Sequence, residues 1–109
     1  MYHKYHTEGI VLKNFDNGDS NKKILILTRD FGLVWAKVQS ARSMKSRLRY
    51  SVQNYSYGKF SLIKGRIEWK LASAISNSNI YEDFKNNFEK LKILTNVFNL
   101  VTKLSGEVS

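Results

Sequence analysis

The chain contains no cysteine and no proline. Without cysteine there is no disulfide, no thiolate zinc site and no cysteine nucleophile. Without proline there is no rigid extended linker. Histidine is almost missing too: His3 and His6 stand alone near the start, and they read as neutral surface residues rather than metal ligands. No run approaches the ~18 consecutive apolar residues of a membrane span. The opening MYHKYHTEG lacks the apolar core of a signal peptide. A soluble, cytoplasmic protein is the expectation, with no membrane partner. Acid is scarce where it matters most. Residues 1–80 carry five Asp and Glu against fourteen Lys and Arg, whereas residues 81–109 carry four of each. The whole net charge of +9 therefore sits in the first part. Such a region attracts polyanions, nucleic acid first and anionic membrane second. A merely basic, well-solvated surface is the bland alternative.

These absences also exclude most catalysis. Glu8, Asp16, Asp19, Asp30 and Glu68 lie mostly in turns, without the spacing of a two-metal nuclease. No Gly-rich Lys-Ser/Thr phosphate loop is present. No motif places a histidine beside a serine nucleophile. The expectation is a protein that is not an enzyme, with no catalytic residue, no cofactor, no metal and no small-molecule substrate.

What the chain does have is a folding composition over 109 residues, 42% apolar and 13% aromatic, enough for one small domain and part of another. Thr7 to Lys13 and Lys22 to Thr28 read as strands joined by a turn over Asn14 to Asn21, with Asn17-Gly18 at its tip. The second strand is apolar on both faces and so reads as central. Arg29 to Gly32 is a turn. Leu33 to Gln39 alternates, with Val34, Ala36 and Val38 on one face and Trp35, Lys37 and Gln39 on the other. Trp35 then reads either as part of a stacking surface or as packing under a later helix. Tyr55 to Ile63 is a fourth strand, bent at Gly58 by a bulge. Ile67 to Ala74 is a fifth, and Asn77 to Asn79 reads as polar punctuation. From Tyr81 onward Phe84, Phe88, Leu91, Leu94, Phe98 and Val101 recur at helical spacing, with Gly106 as the stop. Ile93, Val97 and Leu100 widen the apolar surface. The expected fold is mainly β: a five-stranded OB-fold barrel over residues 1–80, then an amphipathic α-helix in 81–109 that starts a truncated helical domain. An SH3-like barrel would give a similar strand count.

The chemistry gathers in Ser40 to Tyr50, SARSMKSRLRY, which holds Arg42, Lys45, Arg47 and Arg49 and no acid. Lys37 precedes it. Trp35, Tyr50, Tyr55 and Tyr57 surround it. Cations neutralise phosphates, and aromatic faces stack on unpaired bases. The expected nucleic-acid-binding set is therefore Lys37, Arg42, Lys45, Arg47, Arg49, Trp35, Tyr55 and Tyr57, acting on single strands in preference to duplex.

The runs TEGIVLK (Thr7 to Lys13), GDSNKKILILTRDFGLV (Gly18 to Val34) and ARSMKSRLRYSVQNYS (Ala41 to Ser56) keep the order and spacing found in RecO, a family of bacterial recombination and repair proteins. The chain resembles the N-terminal part of that family over roughly its first 80 residues. The resemblance implies an OB-fold followed by a mostly helical domain. It also implies non-catalytic DNA binding, strand annealing and RecA loading, with RecR and single-strand binding protein as partners. The family's basic OB surface maps onto Lys37, Arg42, Lys45, Arg47 and Arg49. The four-cysteine zinc site of many relatives is absent, and Asn54 stands where the family usually has a proline. Two other readings stay open: a protein-interaction module working through the apolar helix, and an RNA-binding OB domain.

Overall fold

Alternating side chains set the strand faces, and a computed structural model describing residues 3–16, 21–39 and 46–104 shows where each face goes. Five strands form: β1 (Lys4–Asp16), β2 (Lys22–Thr28), β3 (Gly32–Val38), β4 (Ser56–Lys64) and β5 (Trp69–Asn79). They close into a barrel in the order β1-β2-β3-β5-β4, with β4 paired back onto β1. All pairs are antiparallel except β3 with β5, where Ala36 faces Trp69 and Lys37 faces Lys70. This is the expected OB-fold, and β2 has the expected limits.

One face of every strand fills the barrel. Val11, Ile24, Ile26, Val34, Ala36, Val38, Phe60 and Leu62 form its core. The opposite face of β1 and β2 is also apolar. Leu12 and Leu25 are buried there against Phe98, which explains why β2 reads as apolar on both sides. A register shift between Val11 and Lys13 lets consecutive residues serve both cores, Val11 inside and Leu12 outside. A short helix, α1 (Ser46–Ser51), presses Leu48 and the following Val52 onto the barrel core. The Asn14 amide donates to the Val52 carbonyl at 2.7 Å, and Ser76 N–H donates to Ser51 Oγ at 3.1 Å.

β1, which begins at Lys4 rather than Thr7, β5 and the helix differ most from the sequence reading. Asn14 to Asp16 extend β1 instead of turning, because Lys22 to Ile24 offer them ladder partners. Asn17-Gly18 and Gly106 lie outside the described residues. β5 begins at Trp69 and runs through 77–79, since Ser78 pairs with Tyr57 and Asn79 with Ser56. The single helix expected from Tyr81 is two, α2 (Ile80–Phe84) and α3 (Phe88–Leu104). Asparagine chemistry divides them. The Asn79 side chain accepts from Tyr81 N–H and Glu82 N–H, and Asn87 Oδ1 accepts from Lys90 N–H at 3.2 Å, so each helix has its own N-terminal cap. Hydrophobic period alone cannot show such a break. Of the apolar stripe, Leu94, Phe98 and Val101 meet the barrel, while Phe88 stays 76% exposed.

Candidate nucleic-acid interface

Residues directly opposite one another in a sheet share a face. Starting at Phe15 on β1, the partner is Lys23 on β2, then Lys37 on β3, then Lys70 on β5. Ile63 on β4 faces Lys70, and Lys4 on β1 faces Ile63. The row thus winds around the barrel and returns to β1 near its start, as the stagger of a closed barrel requires. Four of its six positions are lysine and none is acidic.

Three cations outside the row, Lys22, Arg29 and Lys85, form ion pairs among the described residues. Lys22 Nζ lies 2.8 Å from Asp16 Oδ1, which holds the Asp16 carboxyl below its usual range. Lys59 stands opposite Glu8, Arg29 approaches Glu8 at 3.4 Å, and Lys85 Nζ lies 3.0 Å from Glu82. Among the described residues, no ion pair reaches Lys4, Lys23, Lys37 or Lys70. Like charges placed opposite one another in a ladder repel and destabilise it.

Trp35 borders the row. Its ring stacks on Phe15 with centroids 6.0 Å apart, and Lys23 Nζ lies 5.1 Å from it. It also packs against the Leu12–Leu25–Phe98 cluster, so it is half-buried beneath the helix side. Where the row crosses β5 and β4, a groove of about 440 Å³ opens, lined by Gln39, Ile63, Arg66, Ile67, Glu68 and Lys70. Gln39 leads directly into the basic segment in sequence.

The expected site residues distribute unevenly. Lys37 is in the row and Trp35 beside it. Arg42 and Lys45 lie outside the described residues, as does the side chain of Arg47. Arg49 is exposed in the last turn of α1. Tyr55 precedes β4 with φ of 70°, where its N–H donates to Val11 O at 2.6 Å and its carbonyl accepts from Ile80 N–H at 2.9 Å. Its ring centroid lies 5.6 Å from that of Phe98. Tyr55 therefore ties the barrel to the helices. Tyr57 faces outward on β4 and donates its hydroxyl to Glu8 Oε2 at 2.7 Å, beside Arg29 and Lys59. Neither tyrosine stands in the lysine row. Sequence reasoning missed Lys4, Lys23, Lys70 and Phe15 as neighbours of Lys37. Strand parity puts Lys23 on the outer face, but the β3–β5 contact joins residues far apart in sequence and has no local signal.

The Glu8 carboxyl is held below its usual range, first by the Tyr57 hydroxyl and then by Arg29 and Lys59, against an opposing contribution from burial. The Tyr57 phenol is pushed up by the same contact. A depressed carboxylate stabilises the fold above its unfolded pKa and loses that contribution as pH falls through its folded value. Tyr57→Phe should therefore destabilise most near neutral pH, with the difference from wild type shrinking below pH 4.5, the ordinary Glu value. Urea midpoints across that range measure it. A difference that stays constant with pH would refute the coupling.

Among the described residues no helix is long and apolar enough to cross a membrane, and no three His, Asp or Glu side chains group as metal ligands. A family model described as "Recombination protein O N terminal" matches residues 1–76. The chain is similar to the DNA repair protein RecO of Alkaliphilus metalliredigens, 30% identical over 101 residues, which cover 93% of this chain and 41% of that protein. It is similar to the DNA repair protein RecO of Gloeothece citriformis, 36% identical over 74 residues (68% of this chain and 26% of that protein). For the DNA repair protein RecO of Halalkalibacterium halodurans the identity is 40% over 58 residues, covering 53% and 22%. The matched region thus spans less than half the length of these relatives.

Proposed function

We propose, from the premise that this chain belongs to the RecO family of DNA repair and recombination proteins, that it is a non-catalytic domain which binds single-stranded DNA and supports annealing. The observation that carries this reading is an OB barrel whose outward face aligns lysines across adjacent strands without acid. Annealing requires that repulsion between two phosphate backbones be neutralised while base edges stay free to pair. Lysine and arginine side chains do the first without occupying the second. Arg42, Lys45, Arg47 and Arg49, which follow Lys37 in sequence, add cations for phosphate contacts, and Trp35 offers a ring on which a base can stack, worth ~1–3 kcal/mol. Duplex DNA, RecR, single-strand binding protein and RecA loading belong to the same proposal through the family resemblance.

Fluorescence anisotropy of a labelled oligonucleotide across salt concentrations tests it. Binding should weaken steeply with salt, and charge reversal at Arg42, Arg47 and Arg49 should flatten the slope by about 2 log units per log unit of salt, at ~0.7 per lost phosphate contact. An unchanged slope removes these three residues from the site. A preference for RNA over DNA of equal sequence would favour an RNA-binding domain. One observation favours a protein-interaction role instead: Ile93, Val97 and Leu100 of α3 are each about half exposed or more. A chain that self-associates and ignores DNA at low salt would establish that reading.

A further inference from the structure

Helix α3 carries two apolar faces. At ~100° per residue, Leu94, Phe98 and Val101 fall on one side and pack against the barrel. Ile93, Val97, Leu100 and Leu104 fall within about 60° of one another on the far side, where they are between 49% and 76% exposed. Their spacing of four, three and four residues is that of a coiled-coil seam. Between Ile93 and Leu104 the only charged residue is Lys103, which stands about a quarter-turn from the middle of the seam. A lone exposed leucine is ordinary on a protein surface, but four aliphatic side chains in one uncharged line mark a contact surface.

We infer that this seam pairs two copies of the chain through an antiparallel, two-fold helix contact. The four-three-four spacing reads the same from either end. Reversing one helix therefore sets Ile93 opposite the partner's Leu104 and Val97 opposite the partner's Leu100. Every seam residue then meets an apolar one, as a self-complementary patch requires. A parallel pair would bring the two Lys103 side chains to the same level and set the helix dipoles side by side in the same sense. The antiparallel pair separates the lysines and places each positive helix end beside a negative one. The seam lies on the side of α3 away from Phe98, so both barrels stay outside the contact. Its area sets its strength. The four side chains offer on the order of 500 Å² per copy, below the ~800 Å² per partner of a standard interface. The dimer is accordingly weak, half-formed at ~10–100 μM. On the DNA-binding reading above, such a pair would hold two barrels in one particle, one for each strand to be annealed. The dimer itself does not depend on that reading.

Sedimentation of the full 109-residue chain from about 5 to 500 μM, a range that brackets the expected midpoint, tests it without nucleic acid present. The average mass should climb from that of a monomer toward twice that value. V97E/L100E sets like charges against each other in the paired seam and should raise the midpoint concentration at least about a hundred-fold. Both positions face solvent in the monomer, so the variant's circular dichroism should match that of wild type at low concentration. Orientation is read by disulfide trapping, which the absence of native cysteine makes clean. Mixed I93C and L104C proteins should form the heterodisulfide. I93C alone should form none, because its two copies lie ~16 Å apart along the axis, beyond the ~7 Å that a disulfide spans between Cα atoms. A wild-type chain that stays monomeric to 500 μM overturns the inference and leaves the seam to a different protein, with the DNA-binding reading untouched. A folded V97E/L100E that dimerises like wild type removes the seam from the contact. Ready I93C homodimers overturn the antiparallel pairing.

Discussion

Replacing Gly58 by alanine is expected to lower stability by about 4 kcal/mol or more, the largest effect expected among the described glycines. Gly58 lies on the inward face of β4, between Gly9 of β1 and Ser76 of β5. A Cβ placed there would collide with the Ile75 carbonyl oxygen and the Ser76 Cα. Both are backbone atoms in a neighbouring strand, so no side chain can rotate away. The only relief is separation of β4 from β5, which share the longest ladder of the barrel. The register shift between Tyr57 and Gly58 marks the place where the sheet coils tightly enough to need this approach. Gly32 offers the contrast. Its φ of 66° favours glycine, but open space surrounds it, so Gly32→Ala should cost only ~1 kcal/mol through backbone strain. Urea denaturation of the two variants decides the matter. Equal, small losses would show that β4 and β5 do not approach this closely.

Phe98→Ala should cost about 3–4 kcal/mol, in the range for truncating a buried phenylalanine. Phe98 is 8% exposed and packs on Leu12 and Leu25, with Tyr55 ring to ring beside it. It is the main apolar side chain by which α3 grips the barrel. Leu94 and Val101 flank it but are only partly covered. The expected signature is local. Amides of α3 should lose hydrogen-exchange protection while those of Phe60 to Leu62, in the barrel core, keep theirs. Trp35 packs against the same cluster, so its fluorescence should shift as the helix loosens. Val97, 49% exposed on the other side of α3, is the control, and its alanine variant should stay within ~0.5 kcal/mol of wild type. Uniform loss of protection in Phe98→Ala would mean that helix and barrel unfold as one unit.

The two substitutions divide what could be read locally from what could not. The importance of Phe98 is visible in the sequence, because helical spacing of Phe84, Leu91, Leu94, Phe98 and Val101 predicts a buried stripe before any partner is known. Which member is gripped hardest is not visible, and Phe88, on the same stripe, turned out to be mostly exposed. The bulge at Gly58 is likewise legible, since an isolated glycine in a strand signals one. The backbone atoms that forbid a side chain there belong to β5, and the sequence reading had that strand ending at Ala74, short of both Ile75 and Ser76. The helix break at Lys85 to Asn87 lay in capping chemistry, which a count of apolar period passes over.

For the candidate site the division is sharper. Sequence by itself determined the charge and its location: an acid-poor first 80 residues, Lys37 beside a run of arginines, a central strand apolar on both faces, and the order of runs that places the chain in its family. These are properties of composition and of neighbours along the chain, where alternation and spacing act over a few residues. The tertiary structure decided which cations stand together. Lys23 meets Lys37 across the β2–β3 pair, whereas Lys70 and Lys4 join them only because β3 closes onto β5 in parallel and the barrel staggers. It also drew Tyr55 to the helices and Tyr57 to Glu8. Register across a closing seam is set by the packing of the whole barrel interior, and no stretch of residues encodes it alone.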